Sequence, residues 1–252
     1  MKLIQFNGNT LEMFDSIQEL VVSRYQKYNS NVMIDAGIGG DLNSFRDRAN
    51  NVKRLMRVDI EKAELEMDNM VNCVTMIMSD TSPEMNSFVV LIHKINGRVI
   101  TDEQLSDSGI EEIKKKLAKL PVSKIRAFLN FFKKKVEVEF ETFFPEIGKG
   151  SNKELYLMLK KKIGLKLREV IIGVDLSEDL KKIEDFFTKK MKPKVYGGSG
   201  GLEVKMINGF EDMCTVLIKN NLAIHPKKLT VVEFYNKLIF LEKMIKENNK
   251  RK

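Results

Sequence analysis

Residues 121–144 read PVSKIRAFLNFFKKKVEVEFETFF, and the fold class of the chain depends on whether they form a helix or a strand. Their apolar residues recur at helical spacing: Ile125, Phe128, Leu129, Phe132, Val136, Phe140 and Phe143. Residues 136–141 also alternate apolar and acidic side chains, as a half-buried strand does. The helical stripe covers more residues and needs no break. We therefore favour one long helix and keep a strand over 136–141 as the alternative.

Helical spacing continues on both sides of this stretch. Ser16 and Glu19 form a capping box that predicts a helix from Ile17 to about Ile34. A helical hairpin is predicted over 42–78. Further helices are predicted from Pro83 to near Asn96 and over 109–120, 155–163, 175–190, 210–220 and 230–247, with 165–174 left as helix or strand. The fold is predicted to be mainly α, with helical hairpins or a bundle and at most a few short strands.

Charge is divided unevenly along the chain. Residues 1–108 contain 11 Lys/Arg and 16 Asp/Glu, a net charge of −5. Residues 109–252 contain 32 and 19, a net of +13, which gives +8 for the whole chain. This division and a run of glycines predict four segments. They are an acidic N-terminal helical domain (1–108), a basic helical middle domain (109–196), a Gly-rich hinge or loop (197–201) and a C-terminal helical pair (202–252).

Cysteine usage and hydropathy place the chain in a broad class. Cys73 and Cys214 lie far apart in apolar helical patterns without neighbouring ligands, which predicts buried, reduced thiols. No run approaches 18 apolar residues, so no membrane span is predicted. Asn7, Gly8 and Asn9 interrupt the apolar start before a secretory segment is complete, so we expect the protein to lie inside the cell when it is made.

Several motifs that suggest chemistry have simpler structural interpretations. Gly37-Ile38-Gly39-Gly40 lacks the Lys-Ser/Thr of a phosphate loop and is followed by Asp41, so a structural turn is predicted. His93, expected on an apolar helix, and His225, in a loop before Pro226, have no third ligand or proton-transfer partner at a suitable spacing. Without a nucleophile–base, metal or cofactor arrangement, we expect a protein that is not an enzyme and needs no cofactor.

Two surface features bear on partners. Most of the methionines over 56–85 fit an apolar core stripe on the second hairpin helix, formed by Ala63, Met67, Met70, Val71, Val74 and Met78. The alternative is a Met-rich surface that forms a subunit interface. Three lysine runs are the candidate contacts to phosphate or an acidic partner: Lys114, Lys115, Lys116, Lys133, Lys134, Lys135, Lys160, Lys161 and Lys162.

We interpret the lysine runs as solvent-exposed helix faces. Consecutive lysines point around a helix instead of along one face. Arginine, which suits base readout and bidentate phosphate contacts, is scarce after residue 108 and occurs only as Arg126, Arg168 and Arg251. Weak, salt-sensitive and sequence-independent contact with nucleic acid, or contact with an acidic neighbour, is the alternative.

Two regions of the chain resemble a known group of proteins. SRYQKY (23–28), leading into MIDAGIGGD (33–41) and a helical hairpin with Glu61-Lys62-Ala63, resembles the N-terminal part of uncharacterised virion-associated proteins of crAss-like phages, large tailed bacteriophages of gut bacteria. FEDM (210–213) and LTVVEFY (229–235) resemble the C-terminal end of the same kind of protein. The resemblance covers about a third of the chain, and residues 95–205 have no counterpart.

This resemblance implies a neck or tail ring protein, a helical adaptor packed in many copies around the portal axis. Its place would be the virion, and the host cytoplasm during assembly. Its partners would be further copies of itself in a ring and other virion proteins, such as the portal or a neighbouring tail ring. The resemblance supplies no site residues.

The charge pattern agrees with such a role, because a chain with oppositely charged parts can pack head to tail and close into a ring. The alternative is a non-enzymatic nucleic-acid-binding protein that uses its basic C-terminal half. That alternative predicts tight, salt-sensitive DNA or RNA binding by residues 109–252 alone. The adaptor predicts weak or no binding by this fragment, with assembly that needs both halves.

Overall fold

A computed structural model of the chain describes residues 1–37, 42–78, 83–145, 171–190 and 200–250, with isolated positions between 158 and 169 and at 195. The fold is mainly α, as the sequence predicts. Over the described residues the elements are β1 (Lys2–Phe6), β2 (Asn9–Met13), α1 (Val22–Gly37), α2 (Leu42–Leu55), α3 (Ile60–Met78), α4 (Pro83–Val90), β3 (Ile92–Ile95), β4 (Arg98–Val99), α5 (Asp107–Leu117), α6 (Val122–Phe143), α7 (Ser177–Lys190), α8 (Leu202–Lys219) and α9 (Val231–Lys250).

The decisive stretch is one helix, α6, and the strand alternative over 136–141 is wrong. Its inner face buries Ile125, Phe128, Phe132 and Val136. The ring of Phe128 packs edge-on against Phe88, with centroids 5.7 Å apart, and such aromatic contacts add to the free energy gained by burial. An acidic residue of the alternating segment also has a structural role, because Glu139 accepts a hydrogen bond from the main-chain N–H of Ile17 at 2.8 Å.

The strands form one antiparallel sheet in the order β1-β2-β3-β4. Two Asn-Gly pairs make its tight turns, since Asn7 and Gly8 have φ of 43° and 76°, and Asn96 and Gly97 have φ of 51° and 79°. Asn-Gly is the preferred pair for such hairpin turns. The predicted helix from Pro83 to near Asn96 therefore ends at Val90, and the chain continues as β3. His93 lies on this strand and not on a helix.

A buried arginine joins α1 to the sheet. Arg24 is only 4% exposed, and its guanidinium donates hydrogen bonds to the main-chain carbonyls of Ile92, at 2.6 Å, and Ile100. Its Nε donates to the carboxylate of Asp102 at 2.9 Å, and Ser23 Oγ donates to the same carboxylate. These contacts fix the first turn of α1 against β3 and the segment after β4.

The start of α1 corrects the predicted capping box. Residues 17–20 form a turn, and α1 begins only at Val22. Ser16 Oγ accepts a hydrogen bond from the N–H of Gln18, and the Glu19 carboxylate accepts one from the amino group of Met1 at 3.1 Å. Helix α5 begins at Asp107, two residues before the predicted start at 109, and its cap is Ser106, whose hydroxyl accepts a hydrogen bond from the N–H of Gly109.

The main core crosses the predicted boundary between residues 108 and 109. It combines apolar residues from 1–108 with apolar residues from α5 and α6, and Val231 of α9 completes it: the members include Leu11, Met13, Phe88, Leu91, Ile110, Leu117, Phe128 and Phe132. The division of the chain into domains therefore stays a prediction.

The C-terminal helical pair, α8 and α9, packs on the N-terminal region. A second core cluster contains Val22, Phe210, Cys214, Leu217 and Phe234. A β-bridge joins Val21 to Thr230, because the N–H of Val22 donates to Leu229 and that of Val231 donates to Leu20. Both helices of the predicted pair are present, and α8 begins eight residues earlier than predicted. Cys73 and Cys214 are both buried free thiols, as predicted.

Parts of the middle segment lie outside the described residues. These include the linker at 149–152, most of the predicted helix at 155–163 and positions 197–199 of the glycine run. In the ambiguous stretch 165–174, the described positions 165, 168, 169, 171 and 172 are helical. Within the described residues, no helix has the length and apolar character needed to cross a bilayer.

Candidate functional site

The lysine runs lie on separate elements. Lys114, Lys115 and Lys116 form the last turn of α5, and Lys133, Lys134 and Lys135 lie in the middle of α6. Lys161 and Lys162 occupy helical positions before α7, and Lys160 lies outside the described residues.

One lysine of each run forms an ion pair within the chain. Lys114 Nζ lies 2.6 Å from Glu111, Lys135 Nζ lies 3.2 Å from Asp15, and Lys162 Nζ lies 3.3 Å from Glu184. Lys115, Lys116, Lys133, Lys134 and Lys161 are exposed to solvent. Each run thus divides its charge between an internal contact and the surface.

The Asp15 pair has an electrostatic consequence. Burial raises the pKa of the Asp15 carboxyl, but hydrogen bonds from the Met1 amino group and Lys135 outweigh burial and hold that pKa below its ordinary value. Asp15 therefore stays ionised at neutral pH and holds the ammonium group of Lys135, a residue of α6, beside the N-terminal region. This lysine contributes to the packing of α6 against the N-terminal region and is the least available of its run.

Lys116 borders an open groove of about 690 Å³ between the β3–β4 hairpin and α5. The groove is also lined by Arg98 and by two carboxylates, Glu103 and Glu112. Positive and negative groups therefore face the same space. The groove presents no surface of a single charge to a phosphate.

Neither histidine belongs to a catalytic arrangement that the structure describes. His93 packs against the ring of Phe14, with centroids 4.9 Å apart, and burial lowers the pKa of its imidazole. His225 is exposed and precedes the short 3-10 turn at Pro226–Lys228, in the loop that the sequence predicts. In the part of the chain that the structure describes, no group of three or more His, Cys, Asp or Glu is placed to hold a metal ion.

The α2–α3 hairpin has an unusual internal face. The buried residues of α3 are Ala63, Glu66, Asn69 and Cys73. Arg48 of α2 donates to Glu66 Oε1 at 3.0 Å, and Asn69 Nδ2 donates to Glu66 Oε2 at 3.3 Å. A buried carboxylate is tolerated when a cation and hydrogen-bond donors compensate its lost hydration. Polar side chains therefore occupy the face that a helical hairpin ordinarily fills with apolar ones.

Of the predicted apolar stripe of α3, Met67, Val71 and Met78 lie on the outside of the hairpin, Ala63 is buried, and Met70 and Val74 are half-buried. The three outer residues and Ile60 are between 47% and 82% exposed, and we call these four the α3 stripe: Ile60, Met67, Val71 and Met78. At about 100° per residue they fall within about 40° of one another on the helix. The prediction that Met67, Val71 and Met78 belong to the core is wrong, because Glu66 and Asn69 hold the inner face.

Acidic residues border the α3 stripe. Glu61, Glu64 and Asp68 are all exposed and follow the stripe along one side of the helix. The loop that joins α2 to α3 adds two exposed apolar residues, Met56 and Val58. The hairpin therefore presents an apolar line more than four helical turns long with an acidic border.

A sequence signal for this face exists. Ala63, Glu66, Asn69 and Cys73 recur at three- and four-residue spacing, the same period as the apolar stripe. Periodicity therefore offers two faces of α3, and hydrophobicity selects the wrong one. The residue that identifies the polar face as the buried one is Arg48, which lies opposite Glu66 on the neighbouring helix α2.

Comparisons with known proteins add no relative to this description. No family model, no curated protein and no solved structure matches the chain.

Proposed function

We propose that this chain is a structural component of a tailed-bacteriophage virion, a helical adaptor or ring protein of the head–tail connector or tail that acts through subunit contacts. The observation that carries the subunit contacts is the exposed α3 stripe. The phage setting rests on the resemblance of residues 23–41, 210–213 and 229–235 to virion-associated proteins.

The α3 stripe leaves apolar surface exposed to water, which is unfavourable in free energy. Each exposed apolar side chain of the α3 stripe gains free energy when a partner removes it from water, at roughly 25 cal/mol per Å². Single exposed apolar residues are ordinary on protein surfaces, but contiguous ones mark contact sites. Four such residues on one line, on a hairpin whose helices pack mainly on each other, favour a protein partner.

Nucleic-acid binding is the second candidate, and the exposed members of the lysine runs favour it. Lys115, Lys116, Lys133 and Lys134 are available to phosphates. They lie on two helices, and their ion-paired neighbours Lys114 and Lys135 are engaged inside the chain. Such a surface suits weak, sequence-independent contact, whose affinity falls steeply with salt.

Light scattering of the purified protein at low and high salt, alone and with portal-type rings, tests the proposal. We expect a discrete oligomer, or a complex with the rings. The double variant Met67→Ser/Val71→Ser should lose it, since both side chains lie on the stripe. The control Val138→Ser/Ile207→Ser removes two exposed apolar residues from α6 and α8 and should assemble normally.

The two candidates give opposite results in a parallel gel-shift assay with labelled duplex DNA. A chain that stays monomeric, ignores the rings and shifts the DNA at low salt would refute the adaptor and support the nucleic-acid binder.

A further inference from the structure

We propose that the α3 stripe binds the C-terminal end of α9 from a second copy of the same chain. This inference rests on the proposed function, because it names the partner of the subunit contact. The two surfaces differ, so the contact is head to tail.

The C-terminal end of α9 exposes large apolar side chains. Among the side chains of α9 that the structure describes, which extend to residue 248, Leu241 is the last that is buried, and the helix continues to Lys250. Phe240, Met244 and Ile245 are 40% to 54% exposed at this end. Phe240 and Met244 are one turn apart and lie on one face of the helix. An exposed phenylalanine beside an exposed methionine is an apolar anchor that suits an apolar line on another helix.

The charges of the two surfaces are also complementary. Beside the stripe, α3 exposes three carboxylates, Glu61, Glu64 and Asp68, whereas Glu66 is buried against Arg48 and Lys62 pairs with Asp59. Residues 242–248 contain two Lys and two Glu, and Lys250, Arg251 and Lys252 after them bring the net charge of 242–252 to +3. An apolar line with an acidic border thus faces an apolar pair in a basic segment, and complementary charge favours the encounter and fixes its register.

Pairing of two α3 stripes is less favourable. In a symmetric contact, both surfaces would carry the acidic border of Glu61, Glu64 and Asp68, and like net charge on two surfaces disfavours their association. A head-to-tail contact avoids this repulsion.

The lengths are also compatible. From Ile60 to Met78 the stripe extends about 27 Å at 1.5 Å per residue, and residues 241–250 extend about 14 Å. The α9 end therefore fits along the stripe with room to spare. Because the contact joins unlike surfaces, a pair of copies still has one free α3 stripe and one free α9 end. Further copies add at these two surfaces, and the assembly becomes a ring when the rotation between copies closes.

Two variants and their mixture test the inference. The α3 variant, Met67→Ser/Val71→Ser, keeps its α9 end, and the α9 variant, Phe240→Ser/Met244→Ser, keeps its stripe. All four residues are exposed, and circular dichroism checks that both variants fold. Each variant alone should be monomeric where the wild type assembles, with a dissociation constant raised at least about tenfold. An equimolar mixture should form a heterodimer and nothing larger, because only one intact contact remains.

A charge reversal adds a second readout. Glu64→Lys/Asp68→Lys should weaken assembly, and Lys250→Glu/Arg251→Glu in the same chain should restore it. The control Val138→Ser/Ile207→Ser should assemble as the wild type does.

The inference and the proposed function fail in different ways. An α9 variant that assembles like the wild type, or a mixture without heterodimer, would overturn the inference. A wild type that stays monomeric at its highest soluble concentration would also overturn it, while binding to portal-type rings that needs Met67 and Val71 would keep the proposed function. Loss of both self-assembly and ring binding would refute the proposed function itself.

Discussion

Arg24 illustrates what the sequence reveals at the scale of single residues. Its position on the apolar stripe of the first helix, between Val21 and Tyr25, is readable from the sequence. Its acceptors are not, because the carbonyls of Ile92 and Ile100 lie on segments nearly 70 or more residues away. A buried main-chain carbonyl needs a donor, and the guanidinium supplies several from one side chain.

Replacing this donor should be costly. We expect Arg24→Met to lower the free energy of unfolding by about 3–5 kcal/mol, because it leaves buried carbonyls unsatisfied. Urea denaturation followed by circular dichroism measures the change. The control is Arg126→Met, at an exposed arginine 3.0 Å from Glu84, which should cost less than about 1 kcal/mol. Equal losses in the two variants would contradict the structural role of Arg24.

His93 should make stability sensitive to pH. Burial lowers the pKa of its imidazole below the ordinary value of 6.5, so the unfolded chain binds this proton more readily than the folded one. The free energy of unfolding therefore has its full value with respect to His93 above pH 6.5 and decreases as the pH falls below it. His93→Gln should lose less free energy of unfolding between about pH 7.5 and about pH 5.5 than the wild type does. His225→Gln should retain the wild-type loss, and an unchanged loss in His93→Gln would contradict the prediction.

At the scale of elements, helices with a long apolar stripe are predictable and short strands are not. Helix α6 repeats buried apolar residues at helical spacing, Ile125, Phe128, Phe132 and Val136, and this period outweighs the local alternation at 136–141. The Asn7-Gly8 and Asn96-Gly97 pairs are visible in the sequence as chain breaks. Their hairpins are harder to predict, because β2 gains its second partner only by pairing Leu11 with Ile95, more than 80 residues along the chain.

Two adjacent phenylalanines test the orientation of α6. Phe132 is fully buried, whereas its neighbour Phe131 is partly exposed beneath the Lys2 ammonium, which lies 3.7 Å from the ring centroid. Phe132→Ala should cost about 3–5 kcal/mol through the cavity that it leaves. Phe131→Ala should cost about 1 kcal/mol, mainly from the lost cation–π contact. Thermal denaturation of both variants measures the two losses of stability. A larger loss in Phe131→Ala would mean that α6 buries the face opposite to the one described.

At the scale of the whole molecule, the charge boundary and the packing boundary do not coincide. The net charge changes sign near residue 108, but the main core takes residues from both sides of this position. Charge depends on the surface side chains, while the core depends on where α5 and α6 return to the sheet. The charge boundary is therefore readable from composition, and the packing is not.

The fragment 1–108 tests this difference. It lacks α5, α6 and Val231, so we expect it to remain without a cooperative unfolding transition, although residues 42–78 can retain helix. Calorimetry and the chemical-shift dispersion of its NMR spectrum measure this, with the full chain as reference. Mixing with the fragment 109–252 should restore the transition. A sharp transition in 1–108 alone would instead establish an independent N-terminal domain.

The β-bridge between Val21 and Thr230 has a consequence for the time at which the protein folds. Leu20 and Val22 reach their partners only after Val231 has left the ribosome. Contacts between such distant residues make folding slow, because the loop must close before the contact contributes. During synthesis the N-terminal region therefore keeps part of its apolar surface exposed until α9 has been made. Chaperones bind exposed apolar surface of this kind. The emergence of α9 from the ribosome, more than any local step, sets the moment when this part of the chain becomes native.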